Sequence, residues 1–148
     1  MAATAWTLYD KAKKKIGNGT IVLGAGVVKG HLHTSASNAS TSTLSLHSSV
    51  NNEVAQGNGY LSAGKSLTGL AWTVGASAAS YKFDANDPIW TATGGTIPNI
   101  KFSVLRTSIN ASTGHALCWS RLTTAQFTLT QGNTLTVQMN ALGIFTLA

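Results

Sequence analysis

The stretch Asn51–Val74, with the sequence NNEVAQGNGYLSAGKSLTGLAWTV, decides the fold class of this chain. Its segment Gln56–Gly59 is a polar turn, because Asn-Gly is the strongest short turn signal and glycine accepts positive φ angles. Tyr60–Lys65 has the alternation of an extended segment, a second turn follows at Ser66–Gly69, and Leu70–Val74 is another apolar run. We therefore predict turn, strand, turn and strand here, with no catalytic arrangement of side chains.

Similar extended segments occupy most of the remaining chain. Each is four to eight residues long, is rich in β-branched or aromatic residues and is bounded by turn signals. They are Thr20–Leu23, Val27–Thr34, Ala79–Phe83, Ile89–Ala92, Ile100–Thr107, Ala116–Arg121, Gln126–Leu129, Thr134–Met139 and Gly143–Leu147. We predict a mainly β fold, an antiparallel β-sandwich of jelly-roll type, in a single domain spanning residues 1–148.

One helix is predicted, over residues 5–16. Its apolar stripe recurs every three to four residues, at Trp6, Tyr9, Ala12 and Ile16. Thr4 is placed to cap its start, and Gly17 is placed to end it in the left-handed conformation. Because so short a helix is marginal in isolation, we expect it to pack on a sheet or on a partner.

The helix carries three consecutive lysines, Lys13, Lys14 and Lys15. Cations in the last turn of a helix complement its dipole, which is one explanation of these residues. The alternative is that they contact an acidic patch on a neighbouring subunit.

A segment rich in serine and threonine lies near residues 35–58. Ser35–Ser49 lacks the charge and proline of an extended linker, and Leu44 and Leu46 indicate partial burial. We predict a long exposed loop, which in a shell protein would serve as an arm that orders on contact with neighbours.

The composition indicates a polar but nearly uncharged surface. Charged residues make up 9% of the chain, and the formal net charge is +6; the usual charged fraction of soluble domains is about 25%. A surface of hydroxyls and amides loses little on desolvation, which favours contact with other proteins. The aromatic residues are not interleaved with the basic ones, so we predict no direct contact with nucleic acid.

His31 and His33 lie two apart on one strand and therefore share a face. Two imidazoles so placed are potential metal ligands, and a stable site would need a third ligand such as His47 or His115. With no cysteine pair and few carboxylates, we predict neither a metal nor a cofactor. The face is expected to pack against a neighbour.

No catalytic residues are predicted, and the protein is expected not to be an enzyme. Asp84 and Asp87 flank a turn, where such side chains bond their own backbone. Cys118 is expected to be a buried apolar residue, and His115 falls on the opposite face of the same strand. An alternative is a sugar-binding β-sandwich that uses the strand tryptophans Trp72, Trp90 and Trp119.

Four segments carry a resemblance to a known class of proteins. They are Trp6–Ile21, Asn52–Tyr60, Trp90–Gly95 and Gln131–Val137, in this order along most of the chain. Together they resemble small virion proteins of tailed bacteriophages. The chain departs from that pattern at Val22–Val28, where such proteins carry acidic residues.

The resemblance implies a capsid cement or decoration protein at the capsid surface of a virion. Its implied partners are the major capsid protein and neighbouring copies of itself, as a dimer or trimer. A tail, neck or fibre component is the alternative within this class. The candidate contact residues are Trp6, Tyr9, Lys13, Lys14, Lys15, Leu44 and Leu46.

The chain has no signal-peptide pattern and no apolar run of about 20 residues. We therefore expect it to be made in the host cytoplasm, without a membrane partner.

Overall fold

The computed structural model describes residues 4–107 and 114–147. These residues form a mainly β structure of antiparallel strands, with one α-helix and one 3-10 turn at His47–Ser49. Within these ranges, the helical segments are too short and too polar to cross a membrane. The elements are β1 (Thr7–Leu8), α1 (Asp10–Gly17), β2 (Val28–Thr34), β3 (Lys65–Ser66), β4 (Ala71–Val74), β5 (Tyr81–Asp84), β6 (Ile89–Thr91), β7 (Ile97–Thr107), β8 (Ala116–Arg121), β9 (Phe127–Leu129), β10 (Thr134–Thr136) and β11 (Phe145–Leu147).

β7 is the centre of the largest sheet. That sheet has the order β1-β8-β7-β2-β3, and β9 also pairs with β7. β7 accommodates three partners because it is 11 residues long: β9 pairs with its first half, and β8 pairs with its second half. β2 runs along its other edge. The second half of β7 is buried at nearly every residue, so both of its faces are covered.

Two smaller sheets pack against the large one. Phe83 of β5 and Phe145 of β11, from the sheet β11-β5-β4, have ring centroids 5.4 Å apart and share a core with Leu105 of β7. Trp90 of β6, from the sheet β10-β6, lies in a second core with Leu32 of β2. Burying one such side chain contributes about 1.5–3 kcal/mol, so these two cores hold the three sheets together.

Several predicted strands are confirmed. Ala116–Arg121 is confirmed residue for residue. Four others are each one residue shorter than predicted, as Val28–Thr34, Ala71–Val74, Ile89–Thr91 and Phe127–Leu129.

Other predicted strands are wrong or too long. Thr20–Leu23 is not a strand, since it lies in a turn-rich stretch between Gly19 and Gly24, whose φ angles of +78° and +81° redirect the chain. Most of Tyr60–Lys65 is also irregular, and the strand there is confined to Lys65–Ser66.

The helix begins later than predicted. The prediction was residues 5–16, whereas α1 spans Asp10–Gly17. The preceding Thr7–Leu8 is extended because it pairs with β8. Long-range strand pairing therefore overrides the helical spacing that included Trp6 and Tyr9.

The ends of α1 also differ from the prediction. The Thr4 hydroxyl accepts a hydrogen bond from Arg121 N at 3.0 Å, so it holds the N-terminal strand rather than capping the helix. Tyr9 occupies the N-cap position and provides no side-chain cap. Gly17 is the last helical residue, and the left-handed conformation falls at Gly19.

The serine- and threonine-rich stretch, here called the hydroxyl-rich segment (residues 35–58), is folded onto the protein. Asn38 N donates to Asn51 Oδ1 at 2.8 Å, and Asn51 N donates to Asn38 Oδ1 at 2.9 Å. Ala39 and His47 are buried. Most residues of the segment are exposed and lie outside regular strands, with one 3-10 turn inside it, while reciprocal amide bonds and a few buried side chains hold it to the protein.

Candidate functional site

α1 and the hydroxyl-rich segment meet on one side of the molecule. Asp10 N donates to Ser42 O at 2.9 Å, and Lys15 Nζ donates to Ser45 Oγ at 3.0 Å. Beneath them, Tyr9 Oη donates to Ala39 O at 2.6 Å. We call the α1 lysines together with residues 41–46 the docking face. The two regions that sequence reasoning selected separately thus form one continuous surface.

The lysines of the docking face differ in their surroundings. Lys11, Lys13 and Lys14 are exposed, whereas Lys15 is half-buried and also contacts His115 Nδ1 at 2.7 Å. Partial burial lowers the pKa of Lys15, and it likewise lowers the pKa of His115. Lys15 therefore fastens the helix to the segment, and Lys13 pairs with Asp10, so Lys11 and Lys14 are the lysines available to a partner.

The acidic residues are engaged by the chain itself. Asp10 pairs with Lys13 at 3.3 Å, and hydrogen bonds from Ser42 and then Lys13 lower the pKa of this carboxyl. Asp84 pairs with Lys82 at 3.3 Å, and Asp87 accepts a hydrogen bond from Met139 N at 2.7 Å. The fourth acid, Glu53, contacts His31. The uncompensated charge on the exposed surface is therefore positive.

The remaining candidate contact residues differ in how deeply they are buried. Tyr9 is fully buried, so it supports the docking face from below and does not reach a partner. Burial, and then the nearby Cys118, raises its pKa. Leu44 and Leu46 are half-buried: Leu44 packs on the first core, and Leu46 bridges to His115.

Trp6 lies between two open grooves beside the docking face. One groove, of about 370 Å³, is lined by Trp6, Ser120 and Met139 among others. The second, of about 630 Å³, is lined by Trp6, Lys13 and Leu142 among others. Trp6 is half-buried, so one part of its ring packs on the protein and another part is accessible.

A buried polar cluster occupies the opposite face of β2 from Leu32. Glu53 Oε1 contacts His31 Nδ1 at 2.8 Å and accepts from Tyr60 Oη at 2.6 Å. Arg106 Nε donates to His31 Nε2 at 2.7 Å, and its Nη2 donates to Ala63 O at 3.1 Å. Since an arginine donates only, His31 Nε2 must accept, and the imidazole proton lies on Nδ1 facing Glu53. Glu53 and Arg106 thereby balance each other's charge through a neutral histidine.

Two further histidines complete the cluster. The His47 ring lies 4.0 Å from the His31 ring and 5.6 Å from the His33 ring, between centroids. His33 Nδ1 contacts Asn51 O at 3.1 Å. The Nε2 atoms of His33 and His47 are buried and make no hydrogen bond to the described residues. Burial lowers the pKa of His33 to about 4 and that of His47 to about 2.

The cluster has the ligand types and spacing of a metal site, but its hydrogen bonds oppose metal binding. Ligand atoms of His31, His47 and Glu53 lie within 4.8 Å of one another. A metal on His31 Nδ1 would displace the proton that Arg106 fixes there by donating to Nε2. It would also add positive charge beside a buried guanidinium. The arrangement therefore favours a hydrogen-bonded polar core.

Sequence reasoning found the two histidines of β2 but missed their partners. Their face packs against a neighbour, as expected, and that neighbour is the hydroxyl-rich segment of the same chain. One signal was present in the sequence: Arg106 follows the apolar run of β7, and a charge inside a buried strand requires a buried partner.

The cysteine considered as a nucleophile and the tryptophans considered for sugar binding are wholly or partly buried. Cys118 is buried, and burial raises the pKa of its thiol. Trp90 is buried, while Trp72 and Trp119 are half-buried. Trp72 stacks with Tyr81 at 5.9 Å between ring centroids. These positions favour packing roles over a sugar-binding platform.

Comparison with known proteins adds no assignment. Neither a family model, nor a curated protein, nor a solved structure matches the chain.

Proposed function

We propose that this chain is a non-enzymatic virion structural protein, a cement or decoration subunit that binds the capsid of a tailed bacteriophage. The observation that carries the proposal is the docking face, where α1 and residues 41–46 are joined into one surface with three exposed lysines. A sandwich of jelly-roll type, and assembly as a dimer or trimer, are parts of the same proposal.

The partner surface we propose is a carboxylate-rich patch of the major capsid protein. Because the chain has a net charge of +6 and three of its four acids face basic side chains, its exposed lysines attract an acidic surface. The serine and threonine hydroxyls around them lose little on desolvation. Weak contacts of this kind hold firmly when they are repeated on a lattice, through effective concentration.

The decisive experiment measures copy number and particle stability. We expect purified particles to contain hundreds of copies of the chain, and particles that lack it to break at lower temperature or milder osmotic shock. About six or twelve copies would indicate the tail or neck instead. Equal resistance of complete and deficient particles would exclude the cement role.

A pair of double variants tests the docking face. Lys11→Gln with Lys14→Gln should weaken rebinding to deficient particles about 2- to 30-fold at low salt, since each exposed charge contact contributes about 0.2–1 kcal/mol. Lys65→Gln with Lys101→Gln removes the same charge away from α1 and should bind like the natural protein. The difference should shrink as salt rises, because exposed charges are screened.

Equal binding by the two double variants would remove the docking face from the proposal. Unchanged binding to particles, combined with lost binding to DNA, would assign the lysines to nucleic acid.

A further inference from the structure

We propose that the buried histidines His31, His33 and His47 form an acid-sensitive latch, which holds the hydroxyl-rich segment on the large sheet and releases it when His33 and His47 are protonated. The proposal does not depend on the capsid role.

The latch lies between β2 and the hydroxyl-rich segment, whose backbones are paired only near its end, by an antiparallel bridge between His33 and Glu53 among the described residues. His31 and His33 belong to β2, and His47 belongs to the 3-10 turn inside the hydroxyl-rich segment. The His47 ring packs against both β2 histidines, at 4.0 and 5.6 Å between centroids. His33 Nδ1 also contacts the backbone of the segment at Asn51 O. Opening the segment therefore exposes these rings to water.

The charged groups around the rings favour the neutral form of the histidines over the protonated form. The charged and titratable groups facing the cluster are Glu53 and Tyr60 from the segment and the residues after it, and Arg106 from β7. Glu53 already balances Arg106, so an added proton leaves net positive charge in the interior. The Nε2 atoms of His33 and His47 find no acceptor there among the described residues. A buried cation without an acceptor is strongly unfavourable.

The direction of the pH effect follows from these surroundings. Burial lowers the pKa of His33 to about 4 and of His47 to about 2, whereas an exposed histidine has a pKa of about 6.5. The latch is therefore fully stable above about pH 6.5. As the pH falls below that value, His33 and His47 each bind about one proton in the open state but stay neutral in the closed state. Opening then becomes about 10-fold more favourable per histidine and pH unit.

Opening would also loosen the docking face, because Ser42 and Ser45 of the segment hold α1. This consequence rests on the proposed function, whereas the opening itself does not.

The test is hydrogen exchange of the full-length chain, followed by mass spectrometry at pH 7 and pH 5 after correction for intrinsic rates. We expect the opening equilibrium of residues 35–58 to rise about 25-fold if one histidine titrates and about 600-fold if two do. His33→Gln with His47→Gln should abolish most of this rise. His115→Gln, which changes a histidine outside the cluster that contacts Lys15 and borders the segment at Leu46, should retain the part of the rise that His33 and His47 contribute.

Two results would overturn the latch. One is a rise of the same size in the double variant. The other is stabilisation of the natural protein by Zn²⁺ or Ni²⁺ at pH 7 that the double variant lacks, which would make the cluster a metal site. If the double variant does not fold, imidazole NMR titration of the natural protein decides. Titration of His33 and His47 near pH 6.5 in the closed state would refute the proposal.

Discussion

The backbone of Gly64 runs directly over the imidazole of His31. An added Cβ at this position would lie 2.3 Å from His31 Nε2, the atom that accepts the Arg106 hydrogen bond. The φ angle of Gly64 is +80°, which side chains rarely adopt. Gly64 therefore allows residues 60–65 to close the polar cluster from above.

Gly64→Ala should lower the free energy of unfolding by about 2–4 kcal/mol, the sum of left-handed strain and a steric clash. Gly132→Ala is the matched control, because Gly132 has a φ of +85° but nothing within 4 Å of an added Cβ. Gly132→Ala should lower the free energy of unfolding by about 1 kcal/mol. Urea unfolding measures both changes, and equal losses would show that contact with His31 contributes nothing.

For single residues, the sequence predicted the backbone conformation better than it predicted which side chains lie around them. The turn at Gln56–Gly59 followed from Asn-Gly alone, and Asn58 does have a positive φ of 53°. The shared face of His31 and His33 followed from strand alternation. Their contact with His47 and Arg106 did not, since it depends on how distant segments pack, which local spacing does not encode.

Among the elements, the hydroxyl-rich segment is held by contacts that its composition does not reveal. Its serine and threonine residues predicted a long exposed loop, and the reciprocal bonds of Asn38 and Asn51 tie two distant points of that loop together. Neither asparagine is distinguishable by composition from the other polar residues of the segment.

Asn51→Ala should make the segment at least several-fold more susceptible to limited proteolysis at pH 7, because it removes the side-chain oxygen that accepts from Asn38 N. Asn133→Ala changes an asparagine in the turn before β10 and should leave cleavage within residues 35–58 unchanged. Rapid cleavage of the natural protein within the segment would show instead that the loop is free before any partner binds.

Strand prediction succeeded where apolar alternation and turn residues agreed, as for β8. It failed at β1, where two residues are extended because of pairing with a strand far along the chain: the Thr4 and Arg121 contact spans 117 residues. Local preference for a helix cannot anticipate such a partner.

For the molecule as a whole, the reactivity of the Cys118 thiol measures whether the core is intact. It lies in β8, is fully buried in the first core, and its pKa is raised by burial. Both effects suppress the thiolate that reacts with disulfide reagents.

We expect Cys118 to react with an aromatic disulfide reagent at pH 8 only as fast as the core opens, with a rate that rises in parallel with urea unfolding. A Cys118→Ala variant that carries Thr128→Cys supplies an exposed thiol on β9 and should react at once. Fast labelling of the natural protein in the absence of urea would mean that the core opens readily.

The mainly β, antiparallel character of the whole was predictable, because the short segments with regular turns are typical of it. The grouping into a large sheet around β7 and two small sheets was not. That grouping depends on which strands meet, and several of the candidate strands have similar length and composition.

The strand order has a consequence for synthesis on the ribosome. β1 is made early, yet the strand it pairs with, β8, is made more than a hundred residues later, after β7. A nascent chain therefore exposes the unpaired edge of β7 until β8 and β9 have left the exit tunnel. Such delayed closure slows folding and leaves the growing chain open to association with its neighbours on the same messenger RNA.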